Sequence, residues 1–437
     1  MPPSFVDCLG VGAGPANLSV ASLLHAFPKT SSIFVDQKKA FGWHDSQQFA
    51  DTTLQVSMLK DLVTLADPSS KFSFLYYLHT QGRIYHFLNA RFDAVHRLEF
   101  RKYLEWVADQ HENVVFGEKV VELGFDGRFV VRTDKRTIIA NNVSVGIGTQ
   151  PFVPEFAAGQ LGADHYHVSE MLDRSRDVVG QRVCIVGGGQ SGAEAFLELI
   201  SRPHAERPRR VDWVSRRPNF LPIDDSAFTN EYYMPSHSDF FFGLNRESRL
   251  EFNSRHVLTS DGISETTLRQ IYQRIYLHRF VNGAADLVAL YPNREVCRLS
   301  RSPSGHWLLE MSNTNHAPRR EQIETDVVIW ATGFRQSDAN FLDPISDRLQ
   351  REGTEYLIDE DFAIRWDGPE DRNIFLHNAA PNQRGLADRN LSLLAWRSKR
   401  IIDRVLGLKG PEQLPSFNQW SIRGDVPAAA LLEGTFG

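Results

Sequence analysis

The residues best suited to chemistry are two glycine-rich runs, Gly10-Val11-Gly12-Ala13-Gly14-Pro15-Ala16-Asn17 and Gly187-Gly188-Gly189-Gln190-Ser191-Gly192. A turn of this kind between a strand and a helix offers backbone N–H groups and the positive end of the helix dipole to a pyrophosphate. Gly10 would permit the tight turn and Gly12 the close approach of backbone to phosphate. The third glycine position of the first run holds Pro15, which is harmless at a helix start because its missing N–H would be unpaired there. The second run follows GxGxxG without exception. Asp36 ends the strand after the first helix and is placed to accept hydrogen bonds from the ribose of a first nucleotide. The matching place after the second run reads Ser215-Arg216-Arg217. A guanidinium matches the fork of a 2′-phosphate and keeps its charge, so NADPH is expected there in preference to NADH. No His/Cys/Asp cluster stands at metal-ligand spacing, and no Ser-His-Asp set is evident, so neither a metal nor a nucleophilic side chain is expected.

The elements that must hold these turns are legible around them. "FVDCLGVGAG" reads as an apolar strand, "PANLSVASLLHAF" as a helix with apolar residues at helical spacing, and "SSIFVDQ" as the strand that ends on Asp36. "QRVCIVGGGQSGAEAFLELI" and "RRVDWVSRR" repeat that grammar, so one chain carries two nucleotide units. Between them, "RLEFRKYLEWVADQ" predicts an amphipathic helix, and "VVELGFDGRFVVRTDKRTIIANNVSVGIG" predicts small antiparallel strands ending on a buried strand that returns to the first sheet. The segment to about Leu290 reads as helical and aromatic. "REVCRLSRSPSGHWLLEMSN" and "IETDVVIWATGF" read as strands, and "NLSLLAWRSKRIIDRVLG" as an amphipathic helix stopped by Gly407 and Gly410. A loosely packed tail is expected beyond it.

Composition narrows the class. The 437 residues call for two or three domains, and 42% hydrophobic with 23% charged residues is ordinary for a globular chain. The 48 basic and 54 acidic residues give a net charge of −6, which argues against nucleic acid as a partner. No apolar stretch approaches the length of a membrane span, and the N-terminus reads as lacking a signal segment. Cys8, Cys184 and Cys297 stand far apart, a usage suited to a reducing, cytoplasmic setting.

Two dinucleotide units of opposite selectivity, the first like an FAD site and the second like an NADPH site, form the layout of two-dinucleotide flavoproteins. "VGIGTQPFVP" (Gly146, Gly148, Pro151, Pro154) resembles the linker that leaves the FAD sheet, and "DVVIWATGF" (Asp326, Ala331, Thr332, Gly333, Phe334) resembles the motif that returns to it. "GADHYHVSEM" keeps Gly162, His167 and Ser169 of a monooxygenase signature. "GWHDSQQFADTTLQVSMLKDLVTLADPSSKFSFLYYL", "WVSRRPNFLPIDDSAFTNEYY", "LTSDGISETTL" and "NLSLLAWRS" resemble, in order, the siderophore-associated lysine and ornithine N-hydroxylases, which are class B flavin monooxygenases. The likeness runs to about Val405 and is closer to the lysine and diamine enzymes than to the ornithine ones.

The resemblance implies an α/β fold with two Rossmann-like domains, for FAD and NADPH, and a small helical substrate-binding region. The FAD domain would comprise 1–175 and 326–410, the NADPH domain 176–220 and 291–325, the substrate region 221–290 and the tail 411–437. It implies that a terminal primary amine of lysine, ornithine, cadaverine or putrescine is hydroxylated with O2. Gln55 would lie against the isoalloxazine, Lys60 would reach the substrate, and Trp43 and His44 would line the flavin. Gln190 and Ser191 would hold the pyrophosphate of NADP and Arg216 its nucleotide end. Asn230 and Ser392 would hold substrate or nicotinamide. Asp261 could pair with the second ammonium of a diamine. A homo-oligomer is expected. Baeyer–Villiger and sulfur-oxidising flavin monooxygenases share both glycine motifs and form the nearest alternative, against which "FTNEYY" and "LTSDGI" weigh. A flavin disulfide reductase would need a pair of nearby cysteines.

Overall fold

The computed structural model describes residues 4–49, 52–92, 94–174, 178–313, 315, 319–408 and 416–420. The N-terminal apolar run forms β1 (Ser4–Val11), and the glycine turn leads into α1 (Pro15–Leu24) and β2 (Ser32–Asp36). Pro15 occupies the first turn of α1, as its lack of an N–H allows. Helix α2 (Arg97–Asp109) buries Phe100, Tyr103, Leu104 and Val107, a spacing of three and four that sets one stripe against the sheet. Then come β3 (Val114–Phe116), the antiparallel pair β4 (Val120–Phe125) and β5 (Phe129–Thr133), and the buried β6 (Thr137–Val145). The first sheet runs β3-β2-β1-β6-β5-β4. β6 is parallel to β1, so the expected return strand closes beside the glycine turn.

The chain leaves through β7 (Thr149–Pro151) and enters a second sheet with β8 (His165–His167) and β9 (Arg182–Val186). The second glycine turn follows, with α3 (Gln190–Ser201) and β10 (Arg210–Val214). A helical stretch contains α4 (Glu265–Tyr276) and leads to β11 (Val288–Tyr291) on the sheet edge. Strands β12 (Arg294–Arg301), β13 (Trp307–Asn313) and β14 (Arg320–Thr325) form an antiparallel sheet. Trp307, Leu309 and Met311 from it share a core with Cys184, Val328 and Trp330. β15 (Val327–Trp330) then completes the second sheet, whose order is β11-β10-β9-β15-β8 with every neighbouring pair parallel. β16 (Phe334–Gln336) pairs antiparallel with β7, making a two-stranded bridge back. β17 (Ile374–Leu376) joins β6, and α5 (Leu394–Leu406) ends at Gly407, whose φ of 65° is the left-handed cap that glycine takes without strain.

Three expectations need correction. β8 and β15, placed at first within the 1–175 and 326–410 pieces of the FAD domain, lie in the second sheet. The run "IETDVVIW" is in fact two strands in different sheets, divided at Asp326, whose carboxylate accepts from the Arg182 N–H at 2.8 Å and so pins β15 beside β9. Most of 411–437 lies outside the described residues, but residues 416–420 pack on the helical region: the Trp420 ring stands 4.7 Å from that of His237. The buried Cys8 and Cys184 are free thiols within strands, as their apolar surroundings implied.

Candidate active site

At the first glycine turn the division of labour differs from expectation. Gly10 lies within β1 opposite Phe34, and a Cβ there would come within 2.0 Å of the Phe34 ring. Its role is to admit that ring. Gly12 carries the left-handed φ of 89°, and its Cβ would meet the Gly146 carbonyl at 2.5 Å, so the close approach it permits is to the end of β6. Gly14 alone faces open space, with nothing within 4 Å of a Cβ. Helix α1 has no side-chain cap and no acid in its first turn, so its N-terminal N–H groups are left for an anion. The Asp36 carboxylate accepts from the Ala13 N–H and the Lys38 N–H, both at 2.8 Å, which holds the turn against the end of β2. Asn17, fully buried, donates to the carbonyls of Val11, Gly12 and Ser144 and so clamps β1 to β6. Its own carbonyl accepts from Ser144 Oγ at 2.7 Å, which leaves the Ser144 oxygen to accept from His377 Nε2 at 3.0 Å. Asn17 stood in the quoted motif without a role; a polar residue inside an apolar helix face was the signal.

The second turn repeats the plan. Gly187, with φ 137°, lies against the Ala331 carbonyl, and Gly192 lies against the Gly187 carbonyl. α3 also lacks a side-chain cap and a first-turn acid. Arg216 is exposed at the end of β10 and has no hydrogen-bond or ion-pair partner among the described residues. Arg217 differs: its Nη1 donates to the carbonyls of Gly188 at 3.1 Å and Asp261 at 2.8 Å. It ties the glycine turn to the helical region, which corrects its pairing with Arg216 as a phosphate ligand. Gln190 is engaged as well, since its Oε1 accepts from the Ser264 N–H at 2.8 Å and its Nε2 donates to Glu194 at 2.9 Å. Its amide therefore binds protein, whereas the Ser191 hydroxyl has no partner among the described residues. The Asp261 carboxylate accepts from Ser260 Oγ at 2.9 Å, and its backbone carbonyl is the one that Arg217 holds beside the second turn.

Between the turns, Lys60 and Ser392 meet across 332 residues: Lys60 Nζ donates to Ser392 Oγ at 2.9 Å. The ammonium stands 5.9 Å from the centre of the Tyr233 ring, within cation–π range. Burial favours its neutral form and lowers the Lys60 pKa from the usual lysine value. The neighbouring Asp61 is not its partner. That carboxylate points inward and accepts from the N–H groups of Val63, Thr64 and Phe74 and from Thr64 Oγ1, shaping the loop that carries Lys60. Asn230 lies on the same short helix as Tyr233, Thr229–Tyr233, and donates to the Asp225 carbonyl at 3.0 Å. Gln55 is exposed on the Lys60 loop. Trp43 packs on Phe100 at 5.8 Å, and His44 is held at φ 51°, a conformation that a side chain other than glycine seldom adopts.

The two parts are joined at the bridge. Thr332 Oγ1 donates to the Phe152 carbonyl, and Gly148 and Gly333 take left-handed φ values of 70° and 89°. His167 Nε2 donates to the Gly333 carbonyl at 3.0 Å, while its Nδ1 accepts from the Ser169 N–H at 3.1 Å, so the ring is neutral. Burial holds the His167 pKa down at about 4.

A chain with two bare-ended glycine turns, one followed by an acid and one by an exposed arginine, and a half-buried lysine between them has the form of a flavin monooxygenase. The family model for L-lysine 6-monooxygenase/L-ornithine 5-monooxygenase matches residues 4–336, and the chain belongs to that family. It is a flavin-dependent N-hydroxylating monooxygenase that uses FAD and NADPH. It is 37% identical over 422 residues to L-lysine N6-monooxygenase of Escherichia coli, covering 95% of this chain and 98% of that one. Its identity to the rhizobactin siderophore biosynthesis protein RhbE of Rhizobium meliloti is 30% over 447 residues, with 98% of each covered. The ornithine N-hydroxylase of Kutzneria sp. 744, solved with reduced FAD, NADP+ and L-ornithine, superposes with a TM-score of 0.84 at 27% identity, covering 93% of this chain and 99% of that one.

Proposed function

We propose that the enzyme hydroxylates the side-chain amine of L-lysine as a step toward a hydroxamate siderophore. The observation that carries this reading is the Lys60 ammonium on Ser392 beside Tyr233, a half-buried cation with no carboxylate partner among the described residues. Such a cation suits the α-carboxylate of an amino acid, and the similarity to a lysine enzyme over nearly the full length supports it. When bound, the flavin supplies the oxygen-transfer chemistry with electrons from NADPH and oxygen from O2.

The chain's own residues bind, orient and exclude water. The open face of Gly14 and the bare end of α1 would seat the FAD pyrophosphate, with Asp36 toward its ribose. Trp43, His44 and Gln55 would border the ring system. The bare end of α3 and Ser191 would take the NADP pyrophosphate, and Arg216 the 2′-phosphate. Lys60, Ser392 and Asn230 would hold the far end of the substrate, leaving its side-chain amine to reach the flavin in its neutral form. We place the enzyme in the cytoplasm, in keeping with its free thiols, and as a homo-oligomer, supported by exposed Tyr272, Tyr276 and Phe280 along one helical face. No helix among the described residues is long and apolar enough to cross a membrane.

Oxygen uptake and hydroxylamine formation across L-lysine, L-ornithine, cadaverine and putrescine test the substrate. Lysine and cadaverine differ only in the carboxylate, and leaving Lys60 unpaired should cost cadaverine about a hundredfold in kcat/KM. Comparable efficiencies would show that the far end is not read, and a preference for cadaverine would assign a diamine.

A further inference from the structure

Away from the substrate pocket, one buried ion pair joins elements that the reaction must keep in register. Arg97, at the start of α2, donates through Nη1 and Nη2 to both carboxylate oxygens of Glu194 on α3, at 3.0 and 2.7 Å. The Glu194 side chain is only 5% exposed and that of Arg97 16%, so solvent and salt screen the pair weakly. Arg97 Nη1 also donates to the Gln47 carbonyl at 3.1 Å, and Gln47 Oε1 stands 3.3 Å from His44 Nδ1. The same loop ends in Phe49, which is buried in the core of the second sheet with Tyr166 and Ala193. On the other side Glu194 Oε1 accepts from Gln190, whose carbonyl accepts from the Ser264 N–H beside α4. One bonded chain therefore runs from the His44 loop through α3 to the helical region.

Stability alone does not account for such a pair. Glu194 is buried on α3, with Gln190, Ser191, Leu197 and Glu198 one turn away on its side of the helix, and an apolar side chain at its place would avoid the desolvation of a buried charge. A bidentate arginine–carboxylate contact instead fixes distance and angle between the helices that carry it.

We propose that the Arg97–Glu194 pair is a positioning device: it sets how the NADPH-binding sheet meets the His44 loop, and hence how the nicotinamide lies over the flavin, and through Gln190 it ties that register to the substrate region. This rests on reduction of FAD by NADPH, which the family performs, and not on which amine is hydroxylated. Hydride transfer depends steeply on donor–acceptor geometry, and a misplacement of about 1 Å lowers rates by roughly a hundredfold.

Glu194→Gln retains the size of the side chain and the bond from Gln190 while removing the charge that Arg97 grips. The experiment is anaerobic stopped-flow reduction of the FAD-loaded enzyme by NADPH, with reduction by dithionite, FAD content and melting temperature measured alongside. We expect the limiting rate of reduction by NADPH to fall about tenfold or more, with less hydroxylated product per NADPH consumed. The NADPH concentration at half-maximal rate, the dithionite rate and the FAD content should stay near those of the parent. Arg97→Lys, which keeps the charge but cannot bridge both oxygens, should show a smaller loss of the same kind, and it stands in if Glu194→Gln does not fold. The double variant should be no slower than the worse single one. A lowered melting temperature with an unchanged reduction rate would overturn the proposal, as would losses in the two single variants that multiply in the double.

Discussion

The arginine pair after β10 allows the cofactor assignment to be tested by two single substitutions with opposite signatures. Arg216 is exposed and has no hydrogen-bond or ion-pair partner among the described residues, whereas Arg217 holds the carbonyls of Gly188 and Asp261. Arg216→Ala should leave the turn intact and remove only the charge that meets a 2′-phosphate. A charge-assisted hydrogen bond contributes about 1.5–3 kcal/mol, so KM for NADPH should rise roughly 10- to 100-fold while KM for NADH barely moves. Arg217→Ala acts differently. It leaves two carbonyls without their donor beside the turn that both cofactors use, so NADPH and NADH should suffer alike, by about 1–3 kcal/mol. The assay is steady-state oxidation of each nucleotide at saturating O2 and amine, with affinity for NADP+ measured by its protection against thermal unfolding. If Arg216→Ala weakened both nucleotides equally, or Arg217→Ala discriminated between them, the reasoning would fail and the roles would have to be exchanged.

Three further outcomes follow from the geometry. Because the attacking amine must be neutral and lysine side chains titrate near about 10.4, hydroxylation should rise with pH while anaerobic flavin reduction stays flatter; KM for lysine should then climb where Lys60, lowered by burial, loses its proton, and Lys60→Arg should push that alkaline limb to higher pH, an unmoved limb counting against Lys60 as the carboxylate anchor. Burial holds His111, His167 and His237 each at a pKa of about 4, below the unfolded value, so the unfolded chain binds more protons between pH 6.5 and 4 and stability should drain away as pH falls through that window, by up to about 3 kcal/mol per histidine; melting temperatures that stay level from pH 7 to 4.5 would contradict it. Gly14→Ala, whose Cβ meets nothing within 4 Å, should fold normally yet hold FAD more weakly, whereas Gly187→Ala, whose Cβ would lie 2.0 Å from a carbonyl, should lower the melting temperature outright; the reverse order in flavin content and thermal melts would refute this division.

Local patterns were the legible part of this chain. The strand–turn–helix units around Gly10 and Gly187, the amphipathic α2 and the cap at Gly407 each rest on spacing and turn chemistry within some twenty residues, and each forms where the pattern placed it. Sheet membership was harder to read. A short buried strand such as His165–His167 carries no mark of its neighbour, because parallel pairing is decided by whatever the intervening chain brings alongside. The run from Ile323 to Trp330 reads as one strand and yet crosses from one sheet to another. The polar Glu324, Thr325 and Asp326, all bound to Arg182, mark the break.

The site residues divide along the same line, and Lys60 shows why. From composition alone Lys60 beside Asp61 reads as an exposed pair, the commonest arrangement for adjacent opposite charges. The loop inverts that reading, since four donors from Val63, Thr64 and Phe74 satisfy the Asp61 carboxylate and turn it inward. With its neighbour consumed, Lys60 is left to find Ser392, a contact that the sequence did not foretell, since the resemblance of "LKDL" and "NLSLL" to a family implied only that each residue serves the substrate or the nicotinamide. Glu194 gave one local hint, an acid on α3 with another acid, Glu198, and no base one turn away, but its partner Arg97 lies 97 residues earlier and α2 reads as a complete amphipathic helix without it. Where a charged residue is buried on a helix with no counter-charge three or four residues away, its partner must come from another element. In this enzyme that residue is Glu194, on the helix that begins at the second glycine turn, so the charge that is least explained by its own helix marks the place where the two dinucleotide domains are tied together.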